Sequence, residues 1–170
     1  FNAEKSKKFP MCTNYLIPSP NVATYDETPL MSAIDVTKQV KKCLENDFDF
    51  ILVNYANPDM LGHTGNMDAT VTSLRALDKI LQTVVESAQD NFYTVMITAD
   101  HGNCDIMIDD NGEIVTTHTT SPVPFILLDK KITLKEKGDL TNIAPTILKY
   151  MDIAIPKEMK ESKDLILEDV

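Results

Sequence analysis

Arginine is almost missing: Arg75 is the only one among 16 basic residues. Bidentate clamps for phosphate or carboxylate are normally built from arginine, so any site of that kind lies here only in part. Cysteine is equally sparse. Cys12, Cys43 and Cys104 show no paired spacing, and their odd number argues against a disulfide framework and for a reducing cytoplasm. No apolar run is long enough to span a bilayer, no signal peptide opens the chain, and internal repeats and low-complexity tracts are absent. The first residue is Phe1 rather than Met, which suggests a processed terminus or a piece of something longer. Glycine-rich nucleotide loops are lacking too, and the acidic stretch around Asp105, Asp109 and Asp110 does not follow EF-hand ligand spacing, so it reads as a solvated turn.

What is present is acidity and an ordinary globular composition. The 170 residues carry a net charge of −10, with 43% hydrophobic and 25% charged residues, enough for one domain with a core. Such a surface repels nucleic acid and anionic membrane, leaving neither as a partner. Anionic metabolites would be repelled as well unless bound cations reverse the local field. Lys41-Lys42 and Lys130-Lys131 are too short to act as nucleic-acid patches.

Periodicity orders the chain. Residues 1–29, interrupted by Pro10, Pro18, Pro20 and Pro29, read as irregular with short extended pieces. Helical spacing runs from Leu30 to Asn46, through Ile34, Val36, Val40, Cys43 and Leu44. Asp49–Tyr55 has the mostly apolar run of a buried strand. A loop with Pro58, Gly62 and Gly65 follows, then an amphipathic helix over 67–89 with a stripe of Val71, Leu74, Leu77, Leu81, Val84, Val85 and Ala88. Strands are expected at 93–99 and 123–128, a turn at 109–112, and a closing helix over 141–151 with Pro145 near its first turn. The alternation predicts an α/β domain with a mostly parallel sheet.

Ligands of such sheets bind beyond the carboxyl ends of the strands. The only three histidines fall in loops there: His63 with Asp59 after the first strand, His101 beside Asp100 after the second, His118 before the third. Imidazole and carboxylate are the usual donors to divalent ions. Five donors exceed what one catalytic ion takes from protein, and sharing them between two ions about 3.5–4 Å apart makes a phosphoryl-transfer clamp. Mixed oxygen and nitrogen donors favour Mn²⁺ or Zn²⁺ over Mg²⁺ or Ca²⁺. Asp59 and His63 would share a face on a helix, but Pro58 and Gly62 favour a loop. Asp100 and His101 can reach one site only where the strand ends and turns, which Gly102 permits. Cys104 reads as a small hydrophobe rather than a soft ligand.

Residues 57–65 (NPDMLGHTG), 98–103 (TADHGN) and 118–124 (HTTSPVP) resemble the C-terminal motifs of the cofactor-independent phosphoglycerate mutases, and 19–26 (SPNVATYD) and 143–146 (IAPT) add matches in the same order. The resemblance implies a three-layer αβα, alkaline-phosphatase-like fold, incomplete here. It implies that residues 1–170 are the C-terminal segment of a metal-binding domain whose serine nucleophile and arginine-bearing inserted domain lie elsewhere. It further implies interconversion of 3- and 2-phosphoglycerate in glycolysis through a phosphoserine, and two Mn²⁺ ions, with Zn²⁺ or Co²⁺ as substitutes. Asp59, His63 and His118 would hold one ion and Asp100 and His101 the other, in a protein that is a monomer at full length. Cys12, Asn14, Leu30 and Ser121 depart from the usual Glu, Arg, Glu and Asn, while all five ligand positions match. Two other readings stay open: a related enzyme such as a phosphopentomutase or phosphodiesterase, and a non-catalytic metal-binding domain.

Overall fold

The structure, a computed structural model, describes residues 8–159 and 161–167. The first seven residues of the expected irregular stretch lie outside these. From residue 8 to Thr24 the chain is irregular, ending in a 3₁₀ turn at Tyr25–Glu27. Helix α1 (Ala33–Leu44) buries Ala33, Thr37, Val40, Cys43 and Leu44, and Lys41 and Lys42 sit in its last turn, where cations complement the helix dipole.

Helix α2 (Asn57–Gly62) replaces the loop expected around Pro58. Pro58 lies in the first turn, where its missing N–H is no loss. Buried Asn57 anchors that end by donating from Nδ2 to the carbonyls of Pro29 and Leu30, at 3.1 and 2.9 Å. Leu61 is fully buried. Gly65, at φ 68°, then takes the left-handed conformation that ends the helical segment and starts the next. A side chain there would also run into Ile114, whose Cγ2 would lie 2.6 Å from it.

Helix α3 (Met67–Asp90) opens on Asn66, whose side chain accepts from the Ala69 N–H. Its buried face is Ala69, Thr70, Ser73, Leu77, Val84 and Ala88. Leu74, expected in the stripe, is exposed, and over the same turns the small residues Thr70 and Ser73 are the buried ones. Thr70 stays satisfied by donating to the Asn66 carbonyl at 2.9 Å.

Val40 and Leu44 of α1 and Val84 and Ala88 of α3 form the core cluster, against which Ile51, Val53, Tyr93 and Val95 pack. Alternate residues of an extended chain point to opposite faces. Tyr93 and Val95 face α1 and α3, while Thr94 on the other face hydrogen-bonds Tyr150 of helix α4 (Ile143–Tyr150) at 2.8 Å. Helices therefore flank the extended layer on both sides, the αβα arrangement.

Within that layer the pairing differs from expectation. Strand β1 (Met96–Thr98) pairs antiparallel with β2 (Phe125–Leu127), Ile97 opposite Ile126. β3 (Thr133–Leu134) pairs antiparallel with β4 (Ile166–Leu167). The segment 51–55 alternates half-buried and exposed residues, as an extended chain does, but enters no ladder among the described residues. The mostly parallel sheet is thus corrected for these pairings. A parallel neighbour needs a crossover connection, usually a helix, and residues 99–124 contain none; they loop out through a bridged turn at Ile108 and Ile114 and return from the same end. No helix among the described residues is long and apolar enough to cross a membrane.

Asn66 ties two elements: it caps α3 and donates from Nδ2 to Asp26 at 3.1 Å. Asn66→Ala should lower unfolding stability by about 1 kcal/mol, read as a shift of the urea midpoint at constant slope. An unchanged midpoint would show that the cap contributes nothing to stability.

Candidate metal centre

Three chain segments meet at the end of β1: α2, the turn over residues 99–105, and the loop before β2. Because α2 is helical, the four-residue spacing of Asp59 and His63 acquires the meaning that a loop would deny it. The two side chains rise from one face, with His63 Nε2 3.2 Å from Asp59 Oδ1. His118 reaches the same point from the opposite loop. Its Nε2 lies 3.1 Å from Asp59 Oδ1 and 3.1 Å from His63 Nε2, completing a near-equilateral triangle of donor atoms.

His63 Nδ1 lies 2.7 Å from the Thr116 carbonyl. A carbonyl can only accept, so Nδ1 carries a proton, and Nε2, on the other side of the ring, faces the triangle. This is how metal-binding imidazoles are commonly oriented. His101 Nδ1 makes a longer contact of 3.3 Å with the Gly102 carbonyl and leaves its Nε2 free in the same sense. The His101 ring stacks on that of His118, with centroids 3.7 Å apart, and donor atoms of Asp59, His101 and His118 all fall within 4.8 Å of one another. Asp100 sits at the rim: its side chain is 84% exposed, with Oδ1 3.7 Å from His101 Nε2. Of the five residues singled out in the sequence, four therefore converge and the fifth borders them.

The donor chemistry fits a divalent cation. An acceptor oxygen and two imidazole nitrogens at 3.1–3.2 Å repel one another unless a proton or a cation lies between them. Side chains of Asp59, His63 and His118 are 35–49% exposed, so the cluster is open to solvent on one side. Cys104 is close by. Desolvation, then the charges of Asp105 and Asp59, pushes its thiol up from the ordinary value.

Residues without a sequence-assigned role hold the loops together. Thr119 donates its N–H to the Gly102 carbonyl at 2.8 Å, and its hydroxyl meets both carboxylate oxygens of Asp105 at 3.0 Å. Hydrogen bonds from Ser121 and Thr119 hold the Asp105 carboxyl below the usual carboxylate range. Asn103 donates to Asp59. Gly102 matters for space rather than for a left-handed turn: a Cβ there would collide with Thr119 Oγ1 and come 2.6 Å from Asp105 Oδ1. The signal for these contacts was their place beside the histidines, which spacing could not turn into partners.

The sequence profile of the Metalloenzyme superfamily matches residues 1–155. The chain is 46% identical over 162 residues to the 2,3-bisphosphoglycerate-independent phosphoglycerate mutase of Sulfurimonas denitrificans, covering 95% of this chain and 33% of that protein. It is 49% identical over 147 residues to the enzyme of the same name from Mycoplasma genitalium, covering 86% and 29%. A crystal structure of Leishmania mexicana phosphoglycerate mutase at low cobalt concentration superposes with a TM-score of 0.80 at 28% identity, over 90% of this chain and 31% of that one. The chain spans about a third of the length of the relatives it matches.

Gly102→Ala should break the tie between the turn and the His118 loop. Amide exchange at Thr119 is expected to accelerate about tenfold, on the scale of one hydrogen bond of about 1–1.5 kcal/mol. Unchanged protection would show that the loop is held by other contacts.

Proposed function

The chain belongs to the Metalloenzyme superfamily, and on that premise we propose that it is the metal-binding segment of a phosphoglycerate mutase that interconverts 3- and 2-phosphoglycerate. The observation that carries this reading is the triangle of Asp59 Oδ1, His63 Nε2 and His118 Nε2. Those three residues would hold one divalent cation, and His101 and Asp100 would contribute to a second. Mn²⁺ suits the mixed donors, with Zn²⁺ or Co²⁺ as substitutes; the Leishmania mexicana mutase was crystallised at low cobalt concentration. Bound cations of this kind activate a hydroxyl nucleophile and stabilise charge on a transferring phosphoryl group.

The residues here supply the framework for that chemistry. The hydrogen bond to Thr116 keeps the His63 ring turned inward, and stacking on His101 keeps the His118 ring upright. The charge of −10 supports the same assignment, since a phosphorylated, carboxylated substrate would approach only a site whose field is locally reversed. Three free cysteines support work in a reducing compartment, the cytoplasm.

Full-length protein should interconvert the two phosphoglycerates and lose that activity when chelator removes the metal. Residues 1–170 alone should not, because the resemblance places the serine nucleophile and substrate-gripping arginines outside the motifs present here. Release of inorganic phosphate without isomerisation by the full-length protein would point to a different reaction of the superfamily, and isomerisation by the 170 residues would refute their dependence on the rest.

The two cations should bind unequally. Three protein donors serve the first and two the second, so Mn²⁺ titration of the 170 residues should show a tighter and a weaker phase, and His118→Ala should abolish the tighter one. Equal phases, or an isotherm indifferent to His118→Ala, would overturn the ligand assignment.

A further inference from the structure

Asn103 is a neutral side chain buried beside a cluster of charged and polar donors, only 5% exposed. Both hydrogens of its carboxamide go to one residue: Nδ2 donates to Asp59 Oδ1 at 2.7 Å and to the Asp59 carbonyl at 3.2 Å. That arrangement fixes which way the amide faces, because turning it over would set its oxygen against two acceptors. The cost appears on the other side. Asn103 Oδ1 is buried without a hydrogen-bond partner among the described residues, pressed against Gly62, where a Cβ would strike it and come 2.7 Å from Asn103 Cγ. An unsatisfied buried acceptor costs about 1–3 kcal/mol, which an apolar side chain of the same size would avoid.

We propose that Asn103 is the positioning residue of the Asp59 donor: its amide occupies one lone pair of Oδ1 and so directs the other toward the Nε2 atoms of His63 and His118. The inference rests on the cation reading above and adds a residue outside the donor set. A carboxylate has a broad, nearly two-fold terminal torsion, so an unrestrained Asp59 would turn away from the two imidazole lone pairs whenever no cation is bound. The second hydrogen bond, to the backbone of Asp59, holds α2 against the same turn. Because Gly102 of that turn bridges to Thr119, the asparagine also sets Asp59 in register with His118. Gly62 is part of the device, since only a residue without a side chain lets the carboxamide lie against α2.

The test is Mn²⁺ binding by the full chain, followed by calorimetry and by electron paramagnetic resonance of the bound ion. Asn103→Leu keeps the volume, relieves the unpaired oxygen and removes the donor. It should weaken Mn²⁺ binding about 10- to 100-fold, as loss of an outer partner of a ligand does, while the metal-free protein still unfolds cooperatively. Gly62→Ala, which displaces the carboxamide from behind, should weaken binding in the same range, and should add little in the Asn103→Leu background. If Asn103→Leu does not fold, Gly62→Ala alone carries the comparison. Wild-type affinity in the folded variants, or additive losses in the double variant, would overturn the positioning role and leave the metal reading intact. Failure of the wild-type chain itself to bind Mn²⁺ would overturn both.

Discussion

Three donor atoms aimed at one point repel one another unless a proton or a cation lies between them, and a chain that holds them so must restrain every segment that carries one. Asp59 Oδ1, His63 Nε2 and His118 Nε2 stand 3.1–3.2 Å apart, although His118 lies more than fifty residues beyond the other two. Much of the surrounding structure can be understood as that restraint. Asn57 pins the start of α2 to the Pro29 and Leu30 carbonyls, buried Leu61 anchors its underside, and the Thr116 carbonyl sets the His63 ring. On the other side, the Gly102–Thr119 bridge and the Asp105 carboxylate hold the His118 loop to the end of β1.

The layers explain why the restraint can be stiff. Core packing between α1 and α3 fixes the extended segments at Ile51–Val53 and Tyr93–Val95, and these deliver α2 and the 99–105 turn to one end of the layer. Helix α4 closes the opposite face through the contacts of Tyr150 with Thr94 and Asp129. A site on rigid elements keeps its donors in place before any ligand arrives, which is what tight cation binding requires.

Charge and site are physically linked. A polypeptide with net charge −10 is a poor receptor for a phosphorylated acid, and with one arginine it has little of the usual anion-binding equipment. A cluster able to hold divalent cations changes the sign of the local field without changing the surface. The acidity of the chain is therefore compatible with the phosphoryl chemistry proposed above.

The sequence by itself determined the long elements and the candidate donors. The helical period places α1 and α3 to within a few residues, since burying one stripe of a long helix needs a regular pattern. Histidine is scarce enough that His63, His101 and His118 stood out, and carboxylates beside them marked the same loops. Tertiary structure alone decided the rest. Whether 57–62 coils or loops depended on Asn57 finding carbonyls twenty-seven and twenty-eight residues away. Antiparallel pairing of β1 with β2 followed from the path of a helix-free connection, which residue periodicity does not encode. The same holds for Leu74, turned to solvent while small Thr70 and Ser73 are buried, and for Asn103, whose partner lies 44 positions away. Periodicity reports which face a residue prefers; only the folded chain selects which distant hydrogen-bond partner stands in front of it.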